Sequence, residues 1–147
     1  MDLSSTTVRN AIRGNQIICG VLLFGQVLLG IAIAIAHRMG IELTVDMSED
    51  VLGMLSWLGI GVGVASIPMA HILRLAIWKK GASGGDQAML QGFFTGNIAF
   101  HAVLEGASLL NLTLWLVTTA TLPFVAVAGV IVVFGTVAFL TKSKPQL

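Results

Sequence analysis

The feature that most constrains this 147-residue chain is a series of four long stretches with very few charged residues. They cover residues 17–36, 51–78, 89–118 and 122–140. A helix needs about 20 apolar residues to cross the hydrocarbon core of a bilayer, and each stretch reaches about that length. Strands of a membrane barrel would instead alternate apolar and polar residues. The pattern predicts an all-α integral membrane four-helix bundle, with residues 1–147 forming a single transmembrane domain.

Composition supports the same class of protein. Hydrophobic residues make up 56% of the chain and charged residues only 10%, which is far from the average for soluble domains. The net charge is +1, and no basic segment is interleaved with aromatic residues, so nucleic-acid binding is not expected. The only cysteine, Cys19, cannot form an intrachain disulfide and is expected to pack as a small apolar residue. No nucleophile–base pair, phosphate-binding loop or zinc motif is found, so an enzyme is not expected.

The distribution of lysine and arginine predicts the orientation in the membrane. With four spans, only Arg38 falls on one side, while seven basic residues fall on the other: Arg9, Arg13, Arg74, Lys79, Lys80, Lys142 and Lys144. Cytoplasmic segments carry the excess of basic residues. Both termini are therefore expected to be cytoplasmic, in a bacterial inner (plasma) membrane. A cleaved signal peptide is the alternative for the first stretch, because residues 32–36 contain small-x-small patterns.

The third stretch contains a carboxylic acid close to its midpoint. Glu105 would lie near the middle of the bilayer, where inserting a carboxylate costs about 2.5–3.5 kcal/mol. Polar and aromatic residues share its side of a helix: Asn97, His101, Ser108, Asn111 and Trp115. We interpret Glu105, together with His101, Asn97 and Ser108, as a candidate site for a proton or cation. Interhelical hydrogen bonding is the simpler role for the amide and hydroxyl groups.

Small residues occupy the opposite side of the same helix. They are Gly92, Gly96, Ala99, Ala102 and Gly106. In the second stretch, Gly59 and Gly63 form a small-xxx-small pair, which lets another helix backbone approach closely. We expect Gly59, Gly63, Gly96, Ala102 and Gly106 to mediate helix packing. One side of the third helix would be covered within the monomer and the other by a neighbouring helix, a second copy or a partner protein.

Two histidines form a second candidate site. His71 and His101 lie at similar distances from the centre of the loop between the second and third stretches. In an antiparallel pair of helices they should therefore lie at similar depth. Two histidines and a carboxylate could bind a metal ion, and two histidines could bracket the iron of haem b. On this alternative the protein would be an electron-transfer subunit; otherwise no cofactor is expected.

The central hairpin resembles the proteolipid (subunit c) hairpin of rotary ATPases. The resemblance rests on Gly59-Ile60-Gly61-Val62-Gly63 in one helix and on the Leu104-Glu105-Gly106-Ala107 segment in the next. It implies a glycine-rich helix packed against a helix with one ion-binding carboxylate, which would be Glu105. The Arg-Gln-Pro loop signature of that family is absent, and two further helices flank the hairpin. The four-span layout is also similar to small uncharacterised bacterial membrane proteins, which implies no activity.

These observations leave three functions open. The chain is expected to be an accessory or structural subunit of a larger membrane complex, or a homo-oligomer whose Glu105 binds a proton or cation, or the haem- or metal-binding subunit described above. In each case the lipid bilayer surrounds it. Small four-helix multidrug transporters are disfavoured because their carboxylate lies in the first helix, where this chain has Gln26.

Overall fold

The computed structural model consists of helices joined by short connections. It describes the backbone of residues 5–41, 46–118 and 121–141, and the side chains of 8–10, 12–41, 46–118 and 124–137. The helices are α1 (Ser5–Arg38), α2 (Glu49–Ala82), α3 (Asp86–Val117) and α4 (Thr121–Thr141). Helix accounts for 92% of the described residues, which include no strand. The all-α prediction is therefore confirmed.

Three of these helices are long and apolar enough to cross a membrane. Within the described residues the candidate spans are Val8–Arg38, Glu49–Ala82 and Asp86–Val117. In α4 the side chains are described for Phe124–Val137 alone, and this part is apolar throughout most of its length. Lys142 and Lys144, which contribute to the predicted orientation, lie outside the described residues.

The helices extend beyond the uncharged stretches because their polar ends also form regular turns. Ser48 directly precedes α2, and Glu49 and Asp50 fill its first turn, where carboxylates interact favourably with the helix dipole. The Ser48 side chain makes no capping hydrogen bond. The turn between α2 and α3 passes through Gly85, whose φ of 86° is rarely adopted by other residues. The two helices consequently form a tight antiparallel hairpin.

The third helix is the centre of the fold. It contacts α1, α2 and α4, whereas no Cα atoms of α1 and α2 come within 8 Å of each other in the described part of the chain. Two apolar clusters surround it. One joins α3 to α2 and α4 through Ala70, Phe100, Leu104, Ala107 and Ile131, and the other includes Ile33, Leu112, Leu114, Trp115, Phe124 and Ala128. The side chains of α3 are therefore covered over most of its circumference.

Glycines set the register between α2 and α3. A Cβ on Gly92 would lie 2.9 Å from the Gly81 Cα, and a Cβ on Gly96 would lie 3.0 Å from the carbonyl oxygen of Arg74. Further along the pair, Gly59 faces Asn111. Any larger residue at Gly81, Gly92 or Gly96 would separate the backbones. This register also places His71 and His101 at similar depth, as predicted.

Candidate functional site

Glu105 lies at the edge of the only exposed strip of α3. The side chain is partly buried, and none of the described residues forms a hydrogen bond or an ion pair with it. The strip beside it is made of small and polar residues, all exposed: Gln91, Thr95, Ala102, Gly106 and Thr113. Nothing lies within 4 Å of where a Cβ on Gly106 would be. The space next to the carboxyl group is therefore open in the monomer.

His101 lies inside the bundle, one turn before Glu105. It is 5% exposed and meets the Phe100 ring edge-on at 5.3 Å between ring centres. Its Nδ1 lies 3.9 Å from where a Cβ on Gly135 would be, so the imidazole packs against α4. His101 is also within electrostatic range of the Arg74 guanidinium.

The other predicted polar residues of α3 are also buried. Asn97 lies inside one turn before His101, and Ser108 and Asn111 are fully enclosed. Asn111 Nδ2 donates hydrogen bonds to the carbonyl oxygens of Gly59, at 3.1 Å, and Ala107, at 2.9 Å. Asn111 therefore links α3 to α2. The Ser108 hydroxyl and the Asn111 amide oxygen have no hydrogen-bond partner among the described residues.

The structure thus separates Glu105 from the residues with which it was expected to form an ion site. Asn97, His101 and Ser108 face the interior, whereas Glu105 lies at the boundary with the exposed strip. The physical reason is that three helices pack around α3. They cover the predicted polar side and also part of the small-residue side, so the line between covered and uncovered surface falls next to Glu105.

Of the five residues expected to mediate helix packing, three contact another helix and two lie on the exposed strip. Gly59 contacts Asn111 and Phe124, and Gly63 contacts Val127 and Ile131. Gly96 lies under the backbone of Arg74, as described above. Ala102 and Gly106, in contrast, are exposed and make no such contact in the monomer.

The two histidines expected to hold a metal ion or haem do not share an environment. His71 is exposed on α2, whereas His101 is enclosed by α1, α3 and α4. Equal depth was correctly predicted, but the two side chains leave their helices in different directions. Within the described residues, no group of three or more histidine, cysteine, aspartate or glutamate side chains could hold a metal ion. Ligation of a metal ion or haem by His71 and His101 stays a prediction.

Sequence reasoning missed two features of the interior. Arg74 was counted only as a positive charge, yet it is 7% exposed and its guanidinium carbon lies 5.8 Å from the centre of the Phe100 ring. Its position several residues inside an apolar stretch was the available signal. His37, next to Arg38 at the end of α1, stacks on Trp115 with ring centres 5.5 Å apart. Its Nε2 also lies 3.2 Å from the Trp115 carbonyl oxygen, which ties α1 to α3.

Comparisons with protein-family models, with curated proteins and with solved structures found no match to this chain. The resemblance to the proteolipid hairpin therefore stays a prediction that rests on the quoted residues alone.

Proposed function

We propose that this chain is a four-span subunit of a bacterial inner-membrane complex built from copies of itself, with both termini in the cytoplasm. In this proposal Glu105 binds a proton or cation at the contact between copies. The observation that carries the proposal is the position of Glu105 near the middle of α3, half covered and next to an open strip of small residues.

A charged carboxylate facing lipid costs about 2.5–3.5 kcal/mol on insertion scales. None of the described residues forms a hydrogen bond or an ion pair with Glu105 that would lower this cost. Protonation removes the charge, and a neighbouring subunit can supply hydrogen bonds or a bound cation. By either route, the charge of Glu105 depends on the bound proton or cation and on the neighbouring subunit.

The residues around Glu105 favour a helix as that neighbour. Ala102 and Gly106 are one turn apart and both exposed, and small residues at this spacing let two membrane helices approach closely. The same helix uses Gly92 and Gly96 to bring α2 close within the monomer. A second copy would place its own helix on the remaining strip and cover the carboxyl group.

Cysteine cross-linking tests the contact between copies. In a Cys19→Ala background, Ala102→Cys is expected to form dimers on mild oxidation of native membranes. Val64→Cys, which is exposed on α2, is the matched control and should remain monomeric. Cross-linking of Ala102→Cys only to a different protein would indicate an accessory subunit of a larger complex, and equal dimer formation by both variants would contradict the assigned face.

Labelling with dicyclohexylcarbodiimide tests the ion site separately. This lipid-soluble reagent modifies protonated carboxyl groups, so Glu105 should react more slowly as the pH rises or as a bound cation is added. Mass spectrometry of the labelled peptide identifies the site, and Glu105→Gln is the control. A Glu105 that stays unlabelled at every pH would refute the ion-site proposal.

A further inference from the structure

The described structure contains a buried cation that no described acidic residue neutralises. Arg74 projects from α2 across Gly96, with its Cγ 3.5 Å from where a Cβ on that glycine would lie. The guanidinium then lies near the Phe100 ring, in cation–π range. None of the described residues forms an ion pair with it. An arginine side chain remains protonated in proteins, so the charge requires another source of compensation.

The groups around Arg74 are polar but neutral. The guanidinium is within electrostatic range of Cys19 on α1. The Cys19 thiol donates a hydrogen bond to the Asn15 amide oxygen, with Sγ and Oδ1 3.7 Å apart. His101, which is buried on α3, is also within electrostatic range of the guanidinium. Such a set can donate hydrogen bonds to an anion, but it contains no negative charge of its own.

The backbones of α1 and α2 stay apart next to this cluster. No Cα atoms of α1 and α2 approach within 8 Å in the described part of the chain, so side chains alone bridge the two helices near Arg74 and Cys19. The same end of the bundle carries further exposed basic residues: Arg9, Arg13, Lys79 and Lys80. We refer to these four residues and Arg74 as the basic end. Its charge favours an anionic ligand that approaches from the membrane surface.

We propose that the phosphate of an anionic phospholipid binds between α1 and α2 at the basic end, with Arg74 as its buried ligand. The guanidinium fork matches the geometry of phosphate oxygens. Arg74 lies five residues before Lys79, which corresponds to about 7.5 Å along the helix. With Lys79 at the membrane surface, Arg74 would lie near the boundary between headgroups and acyl chains. Basic pockets between membrane helices bind lipid headgroups in this way. The inference rests on the membrane-spanning part of the proposed function and does not involve Glu105.

Thermal unfolding of the delipidated full chain in mild detergent tests the site. Phosphatidylglycerol should raise the Tm in a saturable way, whereas phosphatidylcholine should not. Arg74→Gln should bind phosphatidylglycerol about tenfold more weakly, because it loses a charge-assisted bidentate contact. Lys79→Gln, on the exposed surface of the same helix, removes one charge of the basic end but no direct contact to the phosphate, so it should weaken binding much less than Arg74→Gln.

Several outcomes distinguish the alternatives. Equal affinity of Arg74→Gln and the unmodified protein, or equal weakening by Lys79→Gln, would overturn the assignment in favour of diffuse surface attraction. Inorganic phosphate producing the same saturable shift would overturn the lipid as ligand and indicate a free-oxyanion site. If Arg74→Gln does not fold, Arg74→Lys takes its place in the experiment. Arg74→Lys keeps the positive charge but loses the bidentate guanidinium contact. It should therefore still bind phosphatidylglycerol more weakly than Lys79→Gln does. Glu105→Gln should leave lipid binding unchanged even if the proposed ion site is refuted.

Discussion

The inner and outer surfaces of α3 present polar groups to different surroundings. On the inner surface, Asn111 donates hydrogen bonds to two carbonyl oxygens, and His101 packs between Phe100 and α4. On the outer surface, Glu105 has no partner among the described residues, and Ala102 and Gly106 are uncovered. Polar groups on the inner surface therefore join helices of one monomer, whereas the carboxyl group on the outer surface has no described group to bond with.

The glycines of α3 show the same contrast. Gly92 touches the backbone of α2, whereas nothing is near Gly106. A glycine on α3 thus allows close helix packing at position 92, whereas the glycine at position 106 belongs to an uncovered surface. Making the same substitution on both surfaces tests this contrast.

Gly92→Ala should destabilise the monomer by about 1–3 kcal/mol, because its Cβ would lie 2.9 Å from the Gly81 Cα and neither backbone can move away easily. Gly106→Ala introduces the same methyl group into open space and should instead stabilise the helix by up to about 1 kcal/mol. Denaturant unfolding in detergent micelles measures both changes. Equal effects would mean that the two surfaces do not differ as described.

Asn111→Ala should lower the free energy of unfolding by about 1–2 kcal/mol, because the buried hydrogen bond that links α3 to Gly59 of α2 is lost. Thr113→Val is the control on the outer surface, where the Thr113 hydroxyl bonds only to Leu109 of its own helix. The control should change stability by less than about 0.5 kcal/mol. The same unfolding assay applies, and a neutral Asn111→Ala would show that this contact contributes nothing.

His37→Ala should destabilise the monomer by about 0.5–1.5 kcal/mol, since it removes a stacked ring from Trp115 at the contact of α1 with α3. His71→Ala, at an exposed position, should have almost no effect. Tryptophan fluorescence in a variant that retains only Trp115 provides a local measurement. No change in that signal on His37→Ala would contradict the stacking.

Glu105→Gln should change the stability of the isolated monomer by less than about 0.5 kcal/mol, because no described residue depends on the carboxylate. In native membranes the same variant should lose any response of the complex to pH or cations. Unfolding in detergent measures the first expectation, and labelling of assembled complexes measures the second. Strong destabilisation of the monomer would place Glu105 among the inner contacts.

The sequence was sufficient to predict the helices because long apolar stretches leave few alternatives in a membrane. It was also sufficient to predict that His71 and His101 lie at similar depth. It could not assign the covered sides of α3, because the helical periodicity of α3 does not reveal how many other helices pack around it. Arg74 shows the same limit, since a residue near the end of a membrane helix can equally reach the surface or turn into the bundle.

The lack of close backbone contact between α1 and α2 in the described part of the chain has a consequence for biogenesis. The α1 backbone comes close only to α3 and α4, which are synthesised later. Until then, lipid or the insertion machinery can cover the apolar surface of α1. The apolar surface of α1 is suited to contact with lipid before α3 and α4 are synthesised, since Ile17, Phe24 and Ile31 remain exposed even in the finished fold.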